Sequence, residues 1–229
     1  MKHRNSHLLA GYWSRLRAGR DVPDQADIDP RTIKRILSHV FILEASDIAG
    51  PLYRLAGTSH CDRYCAELKG TNFLARWEQN SRDSLSSLLH QAVQARQPLC
   101  ISSLAGCETG SMVEVETLLA PLTFGSDTPT RFIGVSQILG DAAILLGQPI
   151  TFERFVSAQL VRETEVPAPP DQLPPAQPSV LRTQSKAPHL RLVSSRETPA
   201  PSRFETDTSI KRIIDALEIV LQPALKAVS

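Results

Sequence analysis

The sequence predicts an α+β protein: a five-stranded antiparallel sheet with helices on one face, an N-terminal amphipathic helix, a disordered Pro-rich linker and a C-terminal amphipathic helix. The order of the periodic segments carries the prediction: helices, two strands, helices, then three strands. The strongest helical period lies in Asn80–Gln94, where Leu85, Leu88, Leu89, Ala92 and Val93 form one stripe ahead of Pro98. The domain boundary comes from proline, because nine of the 17 fall between Pro167 and Pro201.

In chain order, Asn5–Leu16 places Leu8, Leu9, Tyr12, Trp13 and Leu16 on one helical face, with Gly19 suited to its C-terminal cap. Asp29-Pro30 reads as an N-cap followed by the first helical position, opening a helix to about Leu37. His39–Ala45 and Leu52–Ala56 form a hairpin around the turn Asp47–Pro51, and a short helical stretch follows through Tyr64. Glu67–Trp77 is compact and irregular or helical. After Asn80–Gln94 come the strands Leu99–Leu104, Ser111–Leu122 and Arg131–Leu139, with turns at Gly106–Gly110 and Gly125–Pro129. Short helical pieces near Ile144 and over Phe152–Gln159 close the domain at residue 163.

Residues 164–205 are too poor in apolar side chains to offset the entropy of ordering a backbone, and read as a disordered linker. Within them His189–Val193 alternates apolar and basic residues, as a strand added to a sheet edge would, or by chance. In residues 206–229, Ile210, Ile213, Ile214, Leu217, Val220 and Leu221 recur at helical spacing. A helix this short is marginal alone, so its stripe needs a protein partner, a second copy or its own domain.

Composition narrows the function. Apolar residues make up 41% of the chain and its net charge is +1, which gives a nucleic acid or a membrane surface little to attract. Residues 1–163 hold 17 cations and 17 anions, so no segment carries a strong field. No apolar run approaches the roughly 18–20 residues of a bilayer span, and the N-terminus lacks a signal-peptide core. Four cysteines are too few for a disulfide scaffold, which points to reduced thiols in the cytoplasm. GxSxG, P-loop, GxGxxG and HExxH patterns are missing, and the reading is non-enzymatic. Glu114 and Glu116 share a strand face and are expected to meet solvent.

Tyr12-Trp13, Leu16-Arg17, Gly19-Arg20, Asp27-Ile28-Asp29-Pro30, Tyr53-Arg54-Leu55-Ala56-Gly57-Thr58, Glu67-Leu68-Lys69-Gly70, Glu116 with Pro121-Leu122, and Gly134 keep a common order and spacing. Over residues 10–139 this resembles a bacterial, mainly alphaproteobacterial, family of stand-alone PAS domains. One departure is Gln25, where the family often has Arg, so a salt bridge or ligand contact made through that Arg would be missing here. The resemblance implies a PAS fold and a sensory or regulatory role in bacterial signalling. It implies no catalytic residues and supplies no ligand or cofactor.

A PAS layout leaves a cavity between the helical interlude and the sheet. Phe73 and Trp77 are its candidate lining, either stacking on a ligand or filling the core. Cys61 and Cys65, four apart with His60 beside them, share a helical face and are further cavity candidates. Without a CxxC pair or a second suitably spaced His they make a weak metal site, and core packing or a redox switch are the other readings. His60 and His90 are the candidate axial ligands for a haem. Lys69–Leu74 lies where light-sensing PAS domains carry a reactive cysteine and holds none, which rules out a flavin adduct there but not non-covalent flavin. Arg54 faces solvent or pairs with an acid such as Asp29.

The expected protein therefore binds a small ligand, a protein partner, or both. The alternative is a ligand-free interaction adaptor, ahead of a cysteine redox switch or haem sensor. Tyr12 and Trp13 are the candidate homodimer interface, with packing onto their own sheet as the competing reading. Ile213 and Leu217 are the candidate interface of the C-terminal helix.

Overall fold

The computed structural model describes residues 1–45 and 50–162. The expected linker and C-terminal helix, with Ile213 and Leu217, lie outside the described residues, as does most of the turn Asp47–Pro51.

Helix α1 spans Arg4–Arg17. The His3 ring accepts from Asn5 N–H at its start, and Ala18, in the left-handed region at φ 46°, ends it one residue before Gly19. The hairpin follows as β1 (Val40–Glu44) and β2 (Leu52–Ala56), then α2 (Thr58–Tyr64), a 3₁₀ turn at Phe73–Arg76 and α3 (Gln79–Ala95). Strands β3 (Leu99–Gly106), β4 (Met112–Thr123), β5 (Pro129–Leu139) and β6 (Phe152–Leu160) complete the domain. The strands form one antiparallel sheet in the order β2-β1-β5-β4-β3-β6.

The sheet has six strands rather than five, because Phe152–Leu160 is a strand and not a short helix. It pairs with β3 from Leu99↔Leu160 to Gly106↔Phe152, satisfying backbone groups that β3 would otherwise leave unpaired along that edge. The helix expected from Pro30 to Leu37 is also different. Residues 30–36 form successive turns closed three residues apart, such as Thr32 N–H to Asp29 O and Ile36 N–H to Ile33 O, before a 3₁₀ turn at Leu37–His39. Asp29 still caps this run through Arg31 N–H at 3.0 Å.

The sheet is covered on both faces. On the inner face, α2, the Phe73–Arg76 turn and α3 pack against Phe41, Leu43, Ile101, Val115 and Leu119. On the outer face, α1 and the turns of 30–36 cover Val40, Ile42, Leu118, Ala120 and Val135. That is why β4 is buried continuously from Val115 to Leu122, and apolar from Leu118 to Leu122, instead of alternating. Two glycines permit the close approaches. A Cβ on Gly134 would meet the Phe41 ring at 2.4 Å, and one on Gly57 would meet Ser38 O at 2.3 Å. Gly134 stands opposite Phe41 in the β1–β5 register, so the ring lies across the bare backbone.

Helix α1 spends its apolar face on this chain's own sheet. Leu9, Tyr12 and Trp13 are buried there, and Trp13 Nε1 donates to Pro121 O at 2.7 Å. β3 pairs with β4 only as far as Leu119, so the Pro121 carbonyl lies beyond the ladder and the indole takes it. The Tyr12 hydroxyl accepts from Asp29 N–H at 2.7 Å and ties α1 to the Asp27–Pro30 segment.

Candidate functional site

The inner layer holds a cluster of rings in mutual contact. Phe41 comes from β1, Tyr53 from β2, His60 and Tyr64 from α2, and Phe73 and Trp77 from the 3₁₀ turn and its end. The helical spacing of four puts His60 and Tyr64 on one face, with ring centroids 5.3 Å apart and edge-on. His60 stacks on Phe41 at 4.7 Å, and Phe73 lies 5.9 Å from Tyr53 and 5.7 Å from Trp77. Asn72 starts the turn that positions Phe73 by accepting Leu74 N–H at 2.7 Å.

Polar groups are set inside this apolar layer. Glu153, on β6, is 4% exposed; the Tyr64 hydroxyl donates to one oxygen and Ser103 Oγ to the other at 3.0 Å. Burial pushes the Glu153 carboxyl above its ordinary range despite those two hydrogen bonds. His60 is 1% exposed, and burial, with Arg63 nearby, lowers its pKa to about 3. Its Nε2 lies 3.2 Å from the Tyr53 hydroxyl, while its buried Nδ1 has no partner among the described residues. The neutral ring thus retains one unused hydrogen-bonding position in a low-dielectric setting. At the edge of the cluster the Arg76 guanidinium lies 4.8 Å over the Tyr64 ring, and Arg63 donates to Ser136 O at 2.7 Å.

The sequence-predicted residues divide. Phe73 and Trp77 are buried in this cluster, and Cys61 is half-buried against its edge, where burial raises its thiol pKa. Cys65 is exposed, in the left-handed residue that ends α2. All four cysteines are free, and among the described residues no group of three or more His, Cys, Asp or Glu side chains is placed to hold a metal. His90 is exposed on α3, away from the core, while His60 is buried. Tyr53, Tyr64, Ser103 and Glu153 escaped the sequence reading. The i,i+4 relation of His60 and Tyr64 was a usable signal; Glu153 was hidden because its segment was read as helix, where its inward face is not defined.

The polar groups find specific partners. Arg54 is exposed and pairs with an acid as expected, but that acid is Glu44 on the adjacent strand rather than Asp29. Glu44 also accepts from Arg131 at 2.9 Å, and these hydrogen bonds outweigh burial and hold its carboxyl below the ordinary range. Gln25, at the position where Arg was expected from the resemblance, is buried and accepts from Arg131 Nη1 at 2.7 Å. Glu116 does not face solvent: it is buried and accepts Lys2 and His3 backbone N–H at 2.5 and 3.0 Å, while Glu114 pairs with Lys2 Nζ.

A six-stranded antiparallel sheet with an inner helical layer around an aromatic and polar cluster defines an α+β module. A family model described as PAS domain matches residues 1–137, and the chain belongs to that family. Among solved structures, the chain is similar to a light-oxygen-voltage domain studied with a flavin analogue, at 12% identity and TM-score 0.40 over 52% of this chain and 91% of that one. It is also similar to the Rhodobacter sphaeroides LOV protein, at 13% identity and TM-score 0.38 over 52% and 72%. A third is an RNA-binding light-oxygen-voltage receptor, at 14% identity and TM-score 0.37 over 52% and 34%. Among curated proteins none matches. No helix among the described residues is long and apolar enough to cross a membrane.

Proposed function

We propose that this protein is a non-enzymatic PAS sensor of the bacterial cytoplasm, whose inner layer takes a small ligand and passes its occupancy to a protein partner. One observation carries the reading: an imidazole with an unpartnered, buried Nδ1 and a buried carboxyl sit among aromatic rings. Such groups are costly in a core that only has to pack, and a ligand with an aromatic face and a hydrogen-bonding edge would use them. Occupancy would act on α2 and the 3₁₀ turn, which supply four of the six rings. The ligand-free adaptor has its own support, because the six rings already touch one another across the layer.

Native mass spectrometry with an absorbance spectrum, on the full chain purified from its host, separates the two. The sensor predicts a stoichiometric extra mass or chromophore that Glu153→Gln and His60→Leu both reduce. A clean polypeptide mass with aromatic absorbance alone overturns the sensor and leaves the adaptor.

A further inference from the structure

On the outer face, away from the inner cluster, a groove of about 250 Å³ runs between α1 and the turns of 30–36. Tyr12, Ile33 and Ile36 are buried along its floor beside half-buried Leu8. Arg4, Arg15, Lys34 and Arg35 rim it; all four are exposed, and none has an acidic partner among the described residues. Four like charges so close repel one another, and an apolar floor beneath them favours an occupant that brings both acid and hydrocarbon.

We propose that this groove is the docking site, in cis, for residues 206–221 of the same chain. That segment carries the apolar stripe of Ile210, Ile213, Ile214 and Leu217, which needs a surface to cover it. Residues 206–221 contain Asp207, Asp215 and Glu218 against Lys211 and Arg212, a net charge of −1 facing a purely cationic rim. At helical spacing Lys211 stands four residues from Asp215, which neutralises it, Arg212 falls on the side away from the stripe, and Asp207 and Glu218 border the stripe, toward the groove. The chain also leaves the domain on the correct side. Val161, one residue before the last described, is buried in the same outer-face cluster as Leu9 and Trp13 of α1. Residues 163–205 then provide far more contour, at roughly 3.3–3.6 Å per residue, than crossing one face of the domain requires. A tether of that kind holds the segment near the groove at a concentration no free partner matches.

Hydrogen exchange on the full chain tests it. In the wild type, amides of 206–221 should exchange on the order of tenfold more slowly than in an Ile213→Asp/Leu217→Asp variant, with residues 30–37 slowed in parallel. Arg4→Glu with Arg35→Glu should release the segment, and adding Asp207→Arg with Glu218→Arg should restore protection. Unchanged exchange of β4 and β5 in the same data confirms that each variant is folded. Unprotected 206–221 in the wild type overturns the proposal. So does protection that survives the groove reversal, which places the segment elsewhere, or protection lost on dilution, which makes the occupant a second copy.

Discussion

Glu153 is a buried carboxyl whose two hydrogen-bond donors are hydroxyls, those of Tyr64 and Ser103. A neutral amide of the same shape can still accept from Tyr64 and can donate to Ser103 Oγ. Glu153→Gln is therefore expected to change the unfolding free energy by less than about 1.5 kcal/mol at neutral pH. Glu153→Ala strands both hydroxyls and opens a hole beside Tyr64, which should cost about 2–4 kcal/mol. Urea denaturation of the two variants checks the pair; equal losses would mean that the charge, not the hydrogen-bond geometry, matters at this position. The contrast with Glu44 shows what a cation does. Arg131 and Arg54 hold that carboxyl ionised, whereas Glu153 has guanidinium groups only at longer range.

Helix α1 is an element whose periodicity was plain in the sequence and whose partner was not. Leu8, Leu9, Tyr12, Trp13 and Leu16 announce an apolar face, but a stripe requires only that something apolar cover it. The cover is the sheet's own outer face, and the Trp13 indole is satisfied by a carbonyl 108 residues further on. Trp13→Phe keeps most of the apolar area and strands the Pro121 carbonyl, so it should cost about 1–3 kcal/mol. Faster amide exchange in α1, with β1 and β2 unaffected, is the expected signature, and an unchanged denaturation midpoint would remove the indole hydrogen bond from the account. The other elements divide on the same line between local and distant causes. Asn80–Gln94 was readable because five apolar residues repeat locally, and the β3–β4–β5 run because turn residues separate it. The sixth strand was not, because Phe152–Leu160 becomes a strand by pairing with β3, some fifty residues earlier, and a bulge at Ser102/Ser103 disturbs its alternation. Half of the candidate site was legible for the same reason. Phe73 and Trp77 stand out as aromatics in a short interlude, while Glu153 reaches them through distant contacts, the β3–β6 pairing and the hydrogen bond that its carbonyl accepts from Glu78 N–H.

At the scale of the whole molecule the buried titratable groups set how stability follows pH. His60 is the clearest, since its pKa is about 3 in the folded chain against an ordinary value near 6.5. Between those values the unfolded chain binds a proton at this ring that the folded chain does not. Its contribution is therefore complete above pH 6.5 and is lost as the pH falls, at up to about 1.4 kcal/mol per pH unit. Glu153 works in the opposite sense. Its folded pKa is raised, so above the ordinary carboxylate range the folded chain holds the extra proton, and its contribution is lost as the pH rises toward the folded value. Glu44 and Glu116, both lowered, act with His60 but only once the pH enters the carboxylate range. The window between about pH 5 and 6.5 therefore reports His60, joined in the same sense by half-buried His39, whose pKa burial and Arg63 also lower, against Glu153, with little from Glu44 and Glu116. In that window His60→Gln, which can still reach the Tyr53 hydroxyl, should flatten the rise of unfolding free energy with pH. Glu153→Gln should steepen it, and the double variant should keep only the residual rise that His39 contributes. Denaturant titrations at several pH values across the window measure all three slopes. A wild-type slope that His60→Gln leaves untouched would mean that the imidazole is solvated in the folded chain, and the polar cluster would then be open to water rather than enclosed by its six rings.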